Sequence, residues 1–159
     1  LDRITVLEVA AGNSRKEIVL HLAGTLTTAN AVAFNEYSTV DWAKGALTSQ
    51  QLVVQCRTLD SIIEEHHVPQ GFDLLVVDVE GFEAEVFGGF DLAAWRPKML
   101  IVELADTHPS LAATESEDAR LGSWLSRAGY YVVFKDSINT VFVREDVWQA
   151  AYGLYDANQ

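Results

Sequence analysis

One stretch of the chain decides its fold: Phe72-Asp73-Leu74-Leu75-Val76-Val77-Asp78-Val79-Glu80-Gly81-Phe82-Glu83. The apolar run from Leu74 to Val77 does not alternate with polar residues, which predicts a strand buried on both faces of a helix-covered parallel sheet. The run stops at Asp78, Glu80 and Gly81, and a helical pattern follows. Open α/β sheets bind their ligands beyond the carboxyl ends of the strands. We therefore predict a site at Asp78 and Glu80, where Gly81 permits a sharp turn or a close ligand.

A second carboxylate ends the next apolar strand of the sequence. The range 98–104 has the pattern of a buried strand, and Glu103 lies at its carboxyl end. A parallel neighbour would bring Glu103 close to Asp78, and the repulsion between the grouped carboxylates should raise one pKa. Such a group suits a general base for a hydroxyl or amine, or a grip on a polar substrate. His108 follows in the next loop as a further catalytic candidate, with an ordinary surface histidine as the alternative.

Composition restricts the classes of function. The net charge is −12 at pH 7, so the chain should repel phosphate backbones and we expect no nucleic-acid partner. Apolar residues make up 49% of the chain, enough for a core, and no stretch approaches the roughly 20 apolar residues of a membrane span. The single Cys56 lies in an apolar strand pattern, which predicts a buried inert thiol and excludes an internal disulfide. We expect a cytoplasmic protein without membrane association.

The remaining strand patterns occupy the ranges 4–10, 17–22, 52–56, 130–134 and 140–143. The short connection between the last two predicts an antiparallel hairpin. Residues 23–50 form a long segment typical of a functional or mobile loop. We interpret it as an insert over the site whose aromatics influence substrate choice, or as a surface excursion that they pin: Phe34, Tyr37 and Trp42. Residues 154–159 should be a flexible tail.

The range from Asp78 to Gly89 resembles the signature of the FkbM family of S-adenosylmethionine-dependent methyltransferases, an Asp-Val-Glu-Gly-x-Glu motif with a glycine a few residues later. Two further elements agree in order with that family. A Thr-Leu-Asp sequence opens a short helix at Thr58, and Pro97 precedes the strand that ends in Glu103. The resemblance covers most of the range 4–143.

The resemblance implies a Rossmann-like class I methyltransferase sheet, mostly parallel and finished by an antiparallel hairpin. It implies S-adenosylmethionine as cofactor, with the adenine near Ala10 and Ala11, although these alanines could equally pack a strand–turn junction. Asp78 would lie near both the methyl donor and the acceptor. Glu80 and Glu103 would orient or deprotonate the acceptor, a hydroxyl of a small molecule or sugar.

The chain also departs from the family pattern. The glycine-rich loop and the ribose-binding acid of the family are both expected before Ile4, and nothing in the sequence replaces them. Val76 stands where the family usually has a lysine. We therefore interpret residues 1–159 as one partial methyltransferase domain whose N-terminal strands are missing.

Two other classes of function stay open. A non-catalytic methyltransferase fragment would leave the strand at Leu74 with an unpaired edge, through which it could associate with a second copy. A carboxylate-based hydrolase is the third class, because two strand-end carboxylates also act in barrel glycosidases, but the chain is short for such a barrel. The pair His66-His67 beside two glutamates predicts a solvated helix end, and we expect no metal site.

Overall fold

The computed structural model describes residues 4–104 and 115–156, which form a mixed α/β fold with two sheets. The seven strands are β1 (Ala10–Gly12), β2 (Lys16–His21), β3 (Gln51–Thr58), β4 (Leu74–Val77), β5 (Met99–Glu103), β6 (Tyr130–Lys135) and β7 (Asn139–Arg144). The α-helices are α1 (Ala31–Tyr37), α2 (Asp41–Lys44), α3 (Leu59–Glu65), α4 (Glu83–Gly88), α5 (Leu92–Trp95), α6 (Glu115–Arg127) and α7 (Glu145–Asp156). Within these described ranges, no helix has the length and apolar character needed to cross a membrane.

The strands are divided between sheet A, in the order β1-β3-β2, and sheet B, in the order β4-β5-β7-β6. Only the pairs β1–β3 and β4–β5 are parallel, whereas β2–β3, β5–β7 and β6–β7 are antiparallel. The predicted hairpin of β6 and β7 is confirmed. The prediction of a mostly parallel sheet is wrong. The short connection from β6 makes β7 antiparallel to β6, β7 also lies antiparallel to β5 on its other side, and β2 pairs antiparallel with β3.

The main core lies between one face of sheet B and the helices α4 and α6. Leu100, Val102 and Phe142 are buried at the centre of the sheet. They belong to the same cluster as Val86 on α4 and Leu125 on α6. The apolar side chains of the helices and of the strands therefore pack together on this one face. Their burial stabilises the fold by roughly 25 cal/mol for each Å² of apolar surface removed from water.

The opposite face of sheet B is apolar, and it is open at β4, whereas Val143 on β7 is buried. Leu74 is 46% exposed and Val76 is 55% exposed, so the expected burial of β4 on both faces is wrong. Leu74 lies in register with Met99, which pairs in turn with Val143. The physical reason is that β4 is the outermost strand of sheet B. Among the described residues, the core cluster packs against one face of this strand and leaves the other face open.

The predicted strand over the range 4–10 forms only at its end, in β1. Ile4 and Val6 are strongly exposed, and β1 pairs with β3 through Ala10, Ala11 and Gly12. A β-rich sequence gains stability as a strand only where its side chains pack against neighbours. Residues before Ala10 have no strand partner in the described part of the chain, so their β propensity is not used.

Half of the residues in the range 23–50 are in short helices, and the rest connect them. The range contains a short 3-10 helix (Gly24–Leu26) followed by α1 and α2. Asn30 begins α1 by accepting hydrogen bonds from the Val32 and Ala33 amides, the usual role of asparagine at an N-cap. A small apolar cluster holds the segment together, formed by Ala33, Tyr37, Val40 and Ala43. At the other end of the chain, α7 extends to Asp156, so residues 154–156 are helical, while 157–159 lie outside the described residues.

Sheet A meets the helical layer of sheet B at two glycines. A Cβ placed on Gly89, just after α4, would lie 2.0 Å from the carbonyl oxygen of Gly12 in β1. The Gly89 carbonyl accepts a hydrogen bond of 3.1 Å from the Asp60 amide of α3, and the Asp60 carboxylate accepts one of 2.8 Å from the Asp91 amide. The junction therefore requires a residue without a side chain at position 89.

We predict that Gly89→Ala lowers the free energy of unfolding by about 2 kcal/mol, because the new methyl group must displace backbone in a packed junction. Urea denaturation followed by circular dichroism measures this change. The matched control is Gly45→Ala, where an added Cβ meets open space at a residue with φ −69°. Equal stability of the two variants would contradict the close packing at Gly89.

Candidate active site

The carboxyl ends of β4 and β5 bring three acidic side chains together. Val77 pairs with Val102 in the parallel register, so the next residues along the two strands, Asp78 and Glu103, lie side by side. Oxygen atoms of Asp78, Glu80 and Glu103 all lie within 4.8 Å of one another. Asp78 is exposed, whereas Glu80 and Glu103 are partly buried. This acidic cluster combines the three carboxylates that the sequence singled out.

Glu103 is the most perturbed member of the acidic cluster. Burial first, then the charge of Glu80 and a hydrogen bond with Asp78, raise the pKa of Glu103 to about 9. Its Oε2 atom is buried and meets no N–H or hydroxyl donor among the described residues. Two carboxylates can share a hydrogen bond only if one of them carries a proton. Glu103 is therefore the carboxyl group that holds a proton at neutral pH.

The loop that carries Asp78 and Glu80 has an unusual backbone. Glu80 has φ 55° and Gly81 has φ 85°, so two consecutive residues are in the left-handed region. Glycine adopts this region freely, but a residue with a side chain is destabilised there by about 1–2 kcal/mol. The surrounding contacts must therefore hold Glu80 in place.

Glu83 holds the loop from inside. Its side chain is only 3% exposed, and its Oε1 accepts hydrogen bonds from the amides of Val79 at 3.0 Å and Gly81 at 3.4 Å. Burial raises the pKa of Glu83, and these backbone donors partly oppose that rise. A glutamate in the first helical turn looks like an ordinary helix-start charge in the sequence. The position of Glu83 two residues after Gly81 is the one feature of the sequence that indicates its hydrogen bonds to the loop backbone.

The helical segment 23–50 also contacts the loop. Tyr37 donates a hydrogen bond of 2.7 Å to Oε2 of Glu80. The Thr28 hydroxyl and the Asn30 side-chain amide donate bonds of 2.7 Å each to the carbonyl groups of Glu80 and Gly81. Sequence reasoning connected Tyr37 with the site but missed Thr28 and Asn30, because nothing local links them to residues about 50 positions later.

The other aromatics of the segment have different surroundings. The Phe34 ring stacks on His21 at a centroid distance of 4.7 Å. More than half of the Trp42 side chain is exposed to solvent. Of the three aromatics proposed to influence substrate choice, Tyr37 donates a hydrogen bond to a member of the acidic cluster.

Of the predicted cofactor residues, Asp78 belongs to the acidic cluster, whereas Ala10 and Ala11 belong to the other sheet. Ala10 and Ala11 are in β1 of sheet A, paired with Cys56 and Arg57 of β3. Ala10 borders a cavity of about 640 Å³ with largely apolar walls that include Leu20, Leu52 and Val53. Ala11 packs against the main core. Their role in adenine binding stays a prediction, and His108 lies outside the described residues.

The acidic cluster favours positively charged or hydroxyl-bearing ligands. Its carboxylate oxygens could accept hydrogen bonds from a hydroxyl or an ammonium group, and oxygen donors of this kind also suit hard divalent cations. A protonated Glu103 adds one donor to this set of acceptors. The cluster can therefore orient a polar molecule and exchange a proton with it.

We predict that Glu103 makes the protein less stable as the pH rises. Its pKa is raised from about 4.5 in the unfolded chain to about 9 in the fold, so the native state binds more protons in this window. The stability that this proton supplies is complete below about pH 4.5 and is lost progressively as the pH approaches 9. Glu103→Gln imitates the protonated acid, so its stability should fall less over this range.

Urea denaturation at pH 5, 7 and 9 measures the effect. The control is Glu64→Gln, which neutralises an exposed carboxylate on α3 and should keep the pH dependence of the wild type. Parallel pH profiles of wild type and Glu103→Gln would show that Glu103 is ionised at neutral pH.

Comparison with known proteins gives the family. The family model of the methyltransferase FkbM domain matches residues 1–132. This range includes the acidic cluster and all strands from β1 to β5. Searches of curated proteins and of solved structures found no match. Because the match spans well over half of the sequence, this chain belongs to the FkbM family of methyltransferases.

Proposed function

We propose that this chain carries out S-adenosylmethionine-dependent methyl transfer to a hydroxyl group of a small molecule or sugar. Membership of the FkbM family supports methyl transfer in general. The acidic cluster at the ends of β4 and β5 is the observation that carries the proposal for this chain. Carboxylates in this place can hold a hydroxylated acceptor and remove its proton.

The residues of the acidic cluster fit the proposed cofactor. S-adenosylmethionine presents a sulfonium cation, an ammonium group and ribose hydroxyls, and each is attracted by carboxylates. The buried Glu103 oxygen without a donor supports a polar or positively charged ligand at this point. We assign Asp78, the exposed member, to the donor and acceptor side of the site. When bound, the cofactor supplies an electrophilic methyl group.

The roles of the glutamates follow from their surroundings. Glu80 is hydrogen bonded by Tyr37 and suits the orientation of the acceptor hydroxyl. Glu103 can accept a proton only in its ionised form, which the pKa of about 9 makes strongly basic, so proton removal by Glu103 should increase as the pH approaches 9. The acceptor proton would move to the ionised carboxylate of Glu103 while the acceptor oxygen takes the methyl group, whose bond to the cofactor sulfur would break so that a neutral thioether leaves. Alignment of the reacting groups accounts for most of the acceleration in such displacements.

We also propose that sheets A and B are the two flanks of a Rossmann-like methyltransferase sheet. Each sheet has a parallel edge strand, β1 in sheet A and β4 in sheet B. The outer side of each edge strand has no strand partner among residues 4–104 and 115–156. The two flanks meet at Gly12 and Gly89, which supports their belonging to one arrangement.

The first test is calorimetric titration of the chain with S-adenosylhomocysteine. We predict saturable binding with a Kd on the order of micromolar, about −8 kcal/mol, and its loss in Asp78→Asn because one carboxylate is removed from the site. The control Asp41→Asn changes an exposed carboxylate paired with Lys44 and should bind like the wild type. Absence of binding in the wild-type chain would overturn the assignment of the cofactor site to these residues.

Self-association is a second candidate function, and the open side of sheet B favours it. Among residues 4–104 and 115–156, β4 has one strand neighbour, and the apolar side chains Leu74, Val76 and Met99 are all more than a third exposed. An unpaired, apolar edge strand is a surface for pairing with another chain. Under this alternative the chain would form a homo-oligomer through the edge of β4.

We predict that Val76→Lys shifts such an oligomer to the monomer, because a charge on the edge strand opposes pairing. Light scattering coupled to size-exclusion chromatography gives the mass of each species. The control Val53→Lys introduces the same charge at an exposed position of β3 in sheet A. A monomeric wild type at all accessible concentrations would exclude this second function.

A further inference from the structure

We propose that Tyr37, assisted by Thr28 and Asn30, is a positioning residue for Glu80, so that helix α1 sets the geometry of the acidic cluster. The inference rests on the proposed function in one respect, since Glu80 is there assigned to the orientation of the acceptor. It also deepens that proposal, because it gives the segment 23–50 a defined part in the site.

The first support is the bond to the side chain of Glu80. Tyr37 is only 6% exposed, and its ring packs with Ala33, Val40 and Ala43. Because this packing fixes the ring, the hydroxyl group has a defined place from which it donates to Oε2 of Glu80 at 2.7 Å. A fixed donor restricts the directions that the Glu80 carboxylate can take.

The second support is the hold on the backbone at Glu80 and Gly81. The buried Thr28 hydroxyl accepts a hydrogen bond of 2.8 Å from the Asn30 amide and donates one of 2.7 Å to the Glu80 carbonyl. Asn30 caps α1 through Oδ1 and donates through Nδ2 to the Gly81 carbonyl at 2.7 Å. Asn30, the N-cap of α1, and Thr28, two residues before it, thus hold the loop.

The third support is the conformation that these bonds maintain. Glu80 has the left-handed φ of 55°, which a residue with a side chain adopts reluctantly. A Cβ on Gly81 would lie 3.2 Å from the Ala33 Cβ, so the loop runs directly against α1. Contacts from both sides, α1 outside and Glu83 inside, therefore enforce a loop shape that the local sequence disfavours.

A change in the position of Glu80 should also change the pKa of Glu103. The charge of Glu80 is the second cause, after burial, that raises the pKa of Glu103, ahead of Asp78 and Glu83. If Tyr37 fixes and stabilises the Glu80 carboxylate, its loss lets that carboxylate move away from Glu103 or take up the proton instead. Both changes lower the pKa of Glu103, so the proton affinity of Glu103 reports on the position of Glu80.

The test is Tyr37→Phe, which removes the hydroxyl group and keeps the buried ring. Carbon-13 NMR of glutamate carboxyl groups, assigned through Glu103→Gln, follows the titration of Glu103 without any cofactor or acceptor. We predict that the pKa of Glu103 falls by at least about half a unit in Tyr37→Phe. An unchanged titration in the folded variant would overturn the proposal.

The matched control is Tyr130→Phe. Tyr130 is 2% exposed, and its hydroxyl donates a bond of 2.8 Å to the Pro97 carbonyl, which precedes β5 at the end opposite the acidic cluster. This variant loses an equally buried tyrosine hydroxyl bond but should leave the Glu103 titration unchanged. A similar fall in both variants would mean that general loosening of the fold, and not Tyr37, is responsible.

A second variant tests the backbone hold. Thr28→Val keeps the side-chain volume and removes the bond to the Glu80 carbonyl, so it should shift the Glu103 titration in the same direction as Tyr37→Phe. No shift in this folded variant would restrict the positioning to Tyr37 and overturn the part assigned to Thr28. If the titrations shift as predicted while S-adenosylhomocysteine fails to bind, the positioning stands and the proposed cofactor site fails.

Discussion

The parallel pairing of β4 with β5 is the constraint on which the candidate active site depends. Parallel strands place their carboxyl ends at one edge of the sheet, and the register of Val77 with Val102 brings Asp78 beside Glu103. Carboxylates at such short distances cannot all stay ionised in a partly buried place. The raised pKa of Glu103 follows from this geometry and from burial by the core. The sheet that organises the fold therefore also supplies a proton-binding group.

A strained loop is stable here because two distant parts of the chain hold it. Glu83 satisfies the amides of Val79 and Gly81 from the interior. Thr28 and Asn30, which lie just before α1, donate hydrogen bonds to carbonyl groups of the same loop. Each hydrogen bond contributes roughly 1 kcal/mol. The left-handed conformation of Glu80 costs about 1–2 kcal/mol, so the bonds together can offset it. Strain of this kind is typical of functional sites.

The two faces of sheet B have unequal packing, and this inequality explains the second candidate function. One face buries Leu100 and Phe142 against helices. The other face leaves Leu74 and Val76 about half exposed, although the β4–β5 pair has the continuous apolar sequence of a strand covered on both sides. The apolar sequence of β4 is typical of a strand covered on both faces, whereas the described residues cover only one of its faces.

The amino-acid sequence by itself determined the strand at β4, the hairpin of β6 and β7, and the candidate carboxylates Asp78, Glu80 and Glu103. These features depend on local apolar patterns and on strand ends, which are legible without tertiary contacts. The sequence overestimated the strand before Ala10, because β propensity has no effect without a neighbour to pair with. It also treated the range 23–50 as a loop, since short helices carry weak periodic signals.

Only the tertiary structure decided how the site is held and which carboxyl group carries the proton. The bond from Tyr37 to Glu80 joins residues 43 positions apart, and no local pattern encodes such a contact. The burial of Glu83 and the raised pKa of Glu103 likewise depend on how much water the packed elements exclude. The candidate acidic groups were therefore predictable from the sequence. Packing around them determined their protonation and the orientation of their side chains, because desolvation and hydrogen bonding arise only when distant segments meet.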